Sequence, residues 1–430
     1  MSQTDIYSSP AYKRSRNAYH VQCVSEYLVT ILVEDAFLAK LLKSIDLPDA
    51  VIGIVSALMS LAFLVQLGTI YLMQHIRNVK RTVILIDVSS MLCFMCAFLL
   101  PFVPAVGNLR TVLVFATIGG GFLLKYLQLN LYYKWGNSFV KPENRGAFSA
   151  RNEAISQAAG VVFTLVIGFM VDHFEKQGQL NTSFIIIAAV IAVLTVIDLI
   201  MLLMIEKYSA EDAVKQQKPM KEVLRNTLGN RNFRNVMFMV SLNEIAFYLT
   251  VSFVGTFKTE DLLLSMGTIQ LINIGASLLR CVISEPVGCW SDRTSFAHVY
   301  RIGLWLAVLS FLLLVLTTKQ TWWLIAGFTV LYQVSDAFIN ANTNNMTYSY
   351  VPIDFFVQAQ AIRSSVVGII GFAASLVGSR ILAAIQANGN MVMGHPVYAQ
   401  QLLAGMSMII LLVAIAFNKY VVEKQEIMKQ

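Results

Sequence analysis

Long apolar runs separated by short polar punctuation make up almost the whole chain, and no stretch shows the period-two alternation of a half-buried strand. Each run is long enough to cross the roughly 30 Å hydrocarbon core of a bilayer as a helix. The runs predict twelve spans, near residues 19–43, 48–74, 82–103, 111–137, 147–172, 182–205, 233–257, 264–291, 299–317, 320–347, 357–383 and 397–420. The first is the least apolar, because it carries Glu26, Glu34 and Asp35. An eleven-span reading without it would put the two ends on opposite sides of the membrane.

The longest hydrophilic stretch, Glu206–Asn232, follows the sixth span. The expected organisation is therefore a cytoplasmic tail (1–18), a six-helix bundle (19–205), a cytoplasmic linker (206–232), a second six-helix bundle (233–420) and a short cytoplasmic tail (421–430). Within the linker, Met220, Val223, Leu224 and Leu228 share one helical face, which suits an interfacial helix on the cytoplasmic leaflet as well as it suits a flexible linker. The fold class is all-α integral membrane: twelve transmembrane helices in two pseudo-symmetric bundles.

Composition agrees. Of 430 residues, 57% are hydrophobic and 13% charged, about half the charged fraction of soluble chains. Outer-membrane barrels, disordered chains and collagen-like repeats are excluded with them. The formal charge of +7 does not indicate a nucleic-acid partner, because the basic residues sit in short loops. Arg77, Lys80, Arg81, Arg145, Arg293 and Arg301 all fall on the side that holds both termini, as the positive-inside rule requires of a cytoplasmic face. The protein is thus expected in a cell membrane, the bacterial inner membrane, in contact with lipid. Lys13, Arg14 and Arg16 lie in a polar leader, so the first span inserts directly rather than serving as a cleaved signal. The cysteines Cys23, Cys93, Cys96, Cys281 and Cys289 all fall in apolar segments, which implies no disulfide framework.

The two halves repeat. Val140–Arg151 reads VKPENRGAFSAR and Val351–Arg363 reads VPIDFFVQAQAIR, and a helix of small residues follows each, with Gly368, Gly371 and Gly378 in the second. A shift of about 210 residues superposes them, as for parallel repeats about an axis along the membrane normal.

Two loops carry a family resemblance. Gly288-Cys289-Trp290-Ser291-Asp292-Arg293 resembles the G-x-x-x-D-R motif of the major facilitator superfamily, and Pro142-Glu143-Asn144-Arg145-Gly146 resembles the element that accompanies it. The resemblance covers essentially the whole chain. It implies a secondary transporter working by alternating access, commonly a monomer. It also implies that Glu143, Arg145, Arg151, Gly288, Asp292, Arg293 and Arg363 form a cytoplasmic gate. Asp292 would then lie near Arg151, at the positive N-terminal end of the fifth span. A stop-transfer charge cluster that only fixes topology is the alternative. The first-half copy, Tyr71 to Arg81, keeps Arg77, Lys80 and Arg81 but has no acid, which separates the chain from the best-marked drug exporters and brings it closer to bacterial permeases.

Charges inside the spans point to a site. Lys125, Glu244, Arg280 and Asp336 fall near span centres and Glu26 and Glu34 flank one. Each costs about 2.5–3.5 kcal/mol on insertion scales, so each must be paired, hydrated or useful. All six lie on spans that in the superfamily line or wall a central cavity. Polar residues recur every four positions as Gln22, Glu26, Thr30 and Glu34, and as Tyr332, Asp336 and Asn340. Shorter stripes are Glu244 with Tyr248, and Lys125 with Gln128 and Tyr132. The expected substrate and proton site is Glu26, Tyr27, Thr30, Glu34, Lys125, Gln128, Tyr132, Glu244, Tyr248, Arg280, Tyr332, Asp336 and Asn340.

Acids outnumber bases in each half, so one carboxylate per half lacks a cationic partner. Glu26, Glu244 or Asp336 is then a candidate proton carrier. Static bridges, Glu26–Lys125 and Glu244–Arg280, are the other reading. Asp87 and Asp198, on peripheral spans, suggest helix capping or inter-helix hydrogen bonds. Aromatic faces, amides and few charges suit a sugar or glycoside. The acid excess would equally suit efflux of lipophilic cations, and a non-transporting sensor remains a third reading. No histidine is central and no H-E-x-x-H, G-x-S-x-G or phosphate-binding loop occurs, so neither catalysis nor a metal or other cofactor is expected.

Overall fold

The structure, a computed structural model, describes residues 7, 9–66, 78–104, 108–141, 145–206, 225, 227–351, 356–392 and 394–425. In chain order its helices are α1 (Pro10–Leu32), α2 (Asp35–Lys43), α3 (Asp49–Ser56), α4 (Leu58–Ala62), α5 (Val79–Leu99), α6 (Asn108–Val114), α7 (Gly120–Ser138), α8 (Arg145–Lys176), α9 (Leu180–Met204), α10 (Arg231–Thr250), α11 (Met266–Arg293), α12 (Phe296–Val315), α13 (Leu324–Tyr350), α14 (Phe356–Ala387) and α15 (Ala399–Tyr420). Short 3-10 and π turns join some of them. A two-residue hairpin, β1 (Met391–Val392) and β2 (His395–Pro396), pairs Met391 with Pro396.

Among the described residues, ten helices are long and apolar enough to cross a membrane. The first and second spans of the twelve complete the set. The first is broken: α1 starts at Pro10, inside the stretch expected as a tail, because Ser9 caps it by accepting from Tyr12 N–H and Pro10 occupies a first-turn position that needs no donor. It stops at Leu32, and the chain resumes as α2 at Asp35, which takes φ 42°. The second span is described as α3, α4 and a 3-10 turn ending at Val65. The fourth enters through a π turn at Phe115–Gly119, and the seventh extends through 3-10 and π turns to Asp261. The apolar face expected in the linker lies outside the described residues except for Leu228.

The chain forms two compact units, Met1–Leu47 with Ala62–Gln217, and Pro48–Leu61 with Lys218–Gln430. In the first, α9 packs on α5 and α1, while α7 packs on α5 and α8 on α1. One core cluster of this unit gathers Tyr19, Val83, Leu131, Tyr132, Trp135, Phe139 and Leu202, all buried. In the second, α12 packs on α13 and α15, α11 on α13, and α10 on α14 and α15. The outer part of the second span belongs to this second unit, because α3 lies along α14.

That contact is a seam of small residues. Ser375 donates to the Gly53 carbonyl (3.3 Å), Ser379 to that of Ala50 (2.9 Å), and Ser60 to that of Gly368 (2.7 Å). At its end Gln386 donates to Asp49 (2.6 Å). A Cβ at Gly53 would lie 1.8 Å from the Phe253 ring, and one at Gly378 would lie 2.7 Å from the Leu249 carbonyl oxygen. Small side chains let helix backbones meet in a medium where lipid competes equally for larger apolar ones.

Candidate functional site

In the first unit, α1 and α7 bring Glu26 and Lys125 together. The Nζ to Oε1 distance is 3.3 Å, with the side chains 16% and 14% exposed. Lys125 also donates to Thr30 Oγ1, and Thr30 donates to the Glu26 carbonyl at 2.8 Å. The four-residue spacing of Glu26 and Thr30 is what lets one lysine reach both. Glu34 is no longer on this stripe, because α1 has ended. It occupies the extended position before α2 and forms no capping bond there.

The other sequence-selected residues of this unit face inward. The Tyr27 ring covers Gly160 of α8, where a Cβ would come within 2.7 Å. Tyr132 is 4% exposed, stacks on Tyr19 at 4.8 Å, donates to Gln22 Oε1 and lies 3.0 Å from Cys23 Sγ. Gln128 is buried and donates to Asp87 Oδ1. Asp87 and Asp198 both lie within helices whose caps are other residues, so capping is not their role.

In the second unit, Arg280 pairs with Asp336 at 2.8 Å rather than with Glu244. The cause is packing: α11 lies on α13, which carries Asp336. Arg280 also donates to Gln333 Oε1 (3.2 Å), and Asn340 donates to Asp336 Oδ1 (2.6 Å), so the stripe on α13 acts as one hydrogen-bonded set. Tyr332 joins an aromatic stack with Phe247 (5.5 Å) and Phe328 (5.9 Å). Tyr248 is buried against Gly371 of α14. Glu244 is half-buried and, among the described residues, forms no ion pair within 4 Å. Asp336, Arg363 and Asn243 are the groups that act on it.

Arg363 is the residue whose place the sequence did not foreshadow. Assigned to the gate, it is 8% exposed and donates to the Thr343 carbonyl (3.1 Å), Thr347 Oγ1 (3.0 Å) and Asn344 Oδ1 (2.9 Å) of α13. Its positive charge acts on Glu244. The Asn344 and Thr347 spacing was the available signal, since it presents side-chain oxygens on adjoining turns, whereas the Thr343 contact is to its backbone.

Of the other gate candidates, Arg151 in the first unit and Asp292 and Arg293 in the second are exposed. A Cβ on Gly288 would meet nothing within 4 Å. Glu143 lies outside the described residues, as does the side chain of Arg145.

Residues 27–262 match the family model of the Major Facilitator Superfamily. The chain superposes on the nucleoside transporter NupG with a TM-score of 0.69 at 14% identity, covering 96% of this chain and 100% of that one. It superposes on a bacterial homologue of the human lysosomal transporter Spinster, in an inward-facing occupied conformation, with a TM-score of 0.69 at 13% identity and 96% of each chain. An auto-inhibited POT family peptide transporter gives 0.71 at 12% identity, covering 97% and 98%. No curated protein matches the sequence. At these identities the structural likeness speaks for the fold, and the family match, which spans more than half of the chain, speaks for descent. The chain belongs to the major facilitator superfamily: it is a multi-pass membrane transporter rather than an enzyme.

Proposed function

We propose that the protein is a proton-coupled carrier of a small polar solute, of the sugar or glycoside class, that works by alternating access as a monomer in the cell membrane. Glu244 is the observation that carries this reading. It is a half-buried carboxylate in a membrane span, and among the described residues it has no ion pair, whereas Glu26 and Asp336 do. An unpaired charge at that depth costs several kcal/mol, and a proton removes the charge. Arg363, held by α13, supplies a second way to balance it. Glu244 is thus suited to exchange between a protonated state and one balanced by a cation.

The solute class follows from the neighbours of Glu244. Asn243, Asn340 and Asp336 offer donors and acceptors to hydroxyl groups, and Phe247 and Tyr332 offer aromatic surface to a ring. The likeness to NupG, a nucleoside transporter, is in keeping with this, because a nucleoside is itself a glycoside. Efflux of lipophilic cations is the second reading, favoured by Glu34 and Glu244, which both lack an ion pair among the described residues.

Purified protein in proteoliposomes holding a pH-sensitive dye tests the proposal against a panel of sugars, glycosides and nucleosides. Counterflow and solute-dependent proton movement are expected, with Glu244→Gln keeping counterflow and losing proton-driven accumulation. Accumulation that survives Glu26→Gln, Glu244→Gln and Asp336→Asn together would end the proton reading. Ligand binding without counterflow would identify a sensor, and proton-driven extrusion of lipophilic cations would favour the second reading.

A further inference from the structure

The first unit holds an acidic pair that the transport reading does not use. Asp87 on α5 and Asp198 on α9 are 2% and 0% exposed, and their carboxyl groups lie close enough to interact. α5 and α9 pack together, so the approach is built into the bundle rather than into a loop. Gln128 of α7 donates to Asp87 Oδ1. The rest of the cluster is short of donors: among the described residues, Asp87 Oδ2 and both carboxyl oxygens of Asp198 have no hydrogen-bond partner.

A further unpartnered group points at the same place. Gln22 of α1 is 0% exposed and lies close enough to act on Asp198; among the described residues its Nε2 has no bonded acceptor, while its Oε1 is taken by Tyr132. Among the described residues, the remaining titratable or charged groups that act on the pair are Glu26 and Cys23 from α1 and Lys125 from α7. Lys125 is committed to Glu26 and Thr30, and among the described residues no cation lies within ion-pair distance of either aspartate.

Ionised carboxylates only accept hydrogen bonds, so two of them face to face leave every shared contact repulsive. In a site closed to water, two such charges are not both kept. We infer that Asp87 and Asp198 hold one proton between them, as a carboxyl–carboxylate pair that is a proton-binding site inside the first bundle, distinct from Glu244. The proton supplies the missing O–H donor, and the single remaining negative charge is solvated by the Gln22 and Gln128 amides. Both aspartates feel the charge of Glu26, so occupancy of the pair is linked to the Glu26–Lys125 ion pair. The existence of the site is independent of the transport reading; only its use in coupling rests on that reading.

Infrared spectroscopy of the full-length protein in lipid nanodiscs at neutral pH tests it through the C=O stretch of protonated carboxyl groups. Wild-type protein grown on aspartate carrying 13C in the side-chain carboxyl should show a protonated-carboxyl band that shifts with the label, in a Asp336→Asn background as well. Asp87→Asn and Asp198→Asn should each abolish that band, and Glu244→Gln should leave it. Absence of a label-sensitive band in the Asp336→Asn protein, or its persistence in both aspartate variants, would overturn the inference. The labelled experiment needs neither aspartate variant, so misfolding of those variants does not blunt it. A band that persists in protein without proton-driven accumulation would keep the site and remove the transport reading. Accumulation without the band would do the reverse.

Discussion

Removing either partner of Glu26–Lys125 strands the other charge in a place that is five-sixths shielded from solvent. Breaking a buried pair costs about 3–5 kcal/mol, and deleting both partners recovers much of it, because the penalty belongs to the stranded charge rather than to the lost attraction. Lys125→Met and Glu26→Gln are therefore each expected to lower thermal stability in detergent by about 3 kcal/mol, and the double variant by less than either. A double-mutant cycle on melting curves measures the coupling, and additive losses would refute it. Arg280–Asp336 is more open, at 32% and 24% exposure. Its coupling should fall towards the ~1 kcal/mol of partly solvated pairs. The charge-bearing positions were legible in the sequence because a charge in an apolar run stands out. The choice of Asp336 over Glu244 by Arg280 was not, since it depends on which helices touch.

Glycines show the same division at the scale of helices. Those of α14 were readable as a packing surface, but not which partner they receive. Gly53 lies where α3 crosses Phe253, whose ring is fully buried and would meet a new Cβ at 1.8 Å. Gly53→Ala is expected to cost about 1–3 kcal/mol, as overpacking does, and Phe253→Leu in the same chain should restore part of it. Gly405 in α15 is the control, because a Cβ there meets nothing within 4 Å. Gly405→Ala should be neutral or gain up to about 1 kcal/mol from helix propensity. Melting curves that rank the two substitutions the other way would show that the α3–α14 seam does not set stability. The break between α1 and α2 escaped sequence reading for a different reason. Residues 33–35 are Val, Glu and Asp, without glycine or proline, and Asp35 adopts φ 42° despite its Cβ. Aspartate is among the few residues other than glycine that enter this region, a weaker signal than a glycine or proline would give.

For the whole molecule, hydropathy sufficed for the membrane-spanning helices because a bilayer permits so few backbone solutions. Orientation depends on span number as well as on charge. If both α1 and the second span cross, the count is twelve, and residues 9 and 425 share a side. The basic residues Lys13, Arg14, Arg16, Lys419 and Lys424 flank those ends, and the positive-inside rule assigns that side to the cytoplasm. The β1–β2 hairpin between the last two spans then faces outward, and the exposed Thr294, between α11 and α12, faces inward. A variant lacking the five native cysteines, with one new cysteine at a time, separates the cases in intact cells. His395→Cys should react at once with a membrane-impermeant maleimide. Thr294→Cys and Lys13→Cys should react only after permeabilisation. The inverse pattern at all three would reverse the orientation. If Lys13→Cys alone changed to immediate reaction, the first span would not cross, leaving eleven spans, and Glu26 would lose its place opposite Lys125 within the membrane.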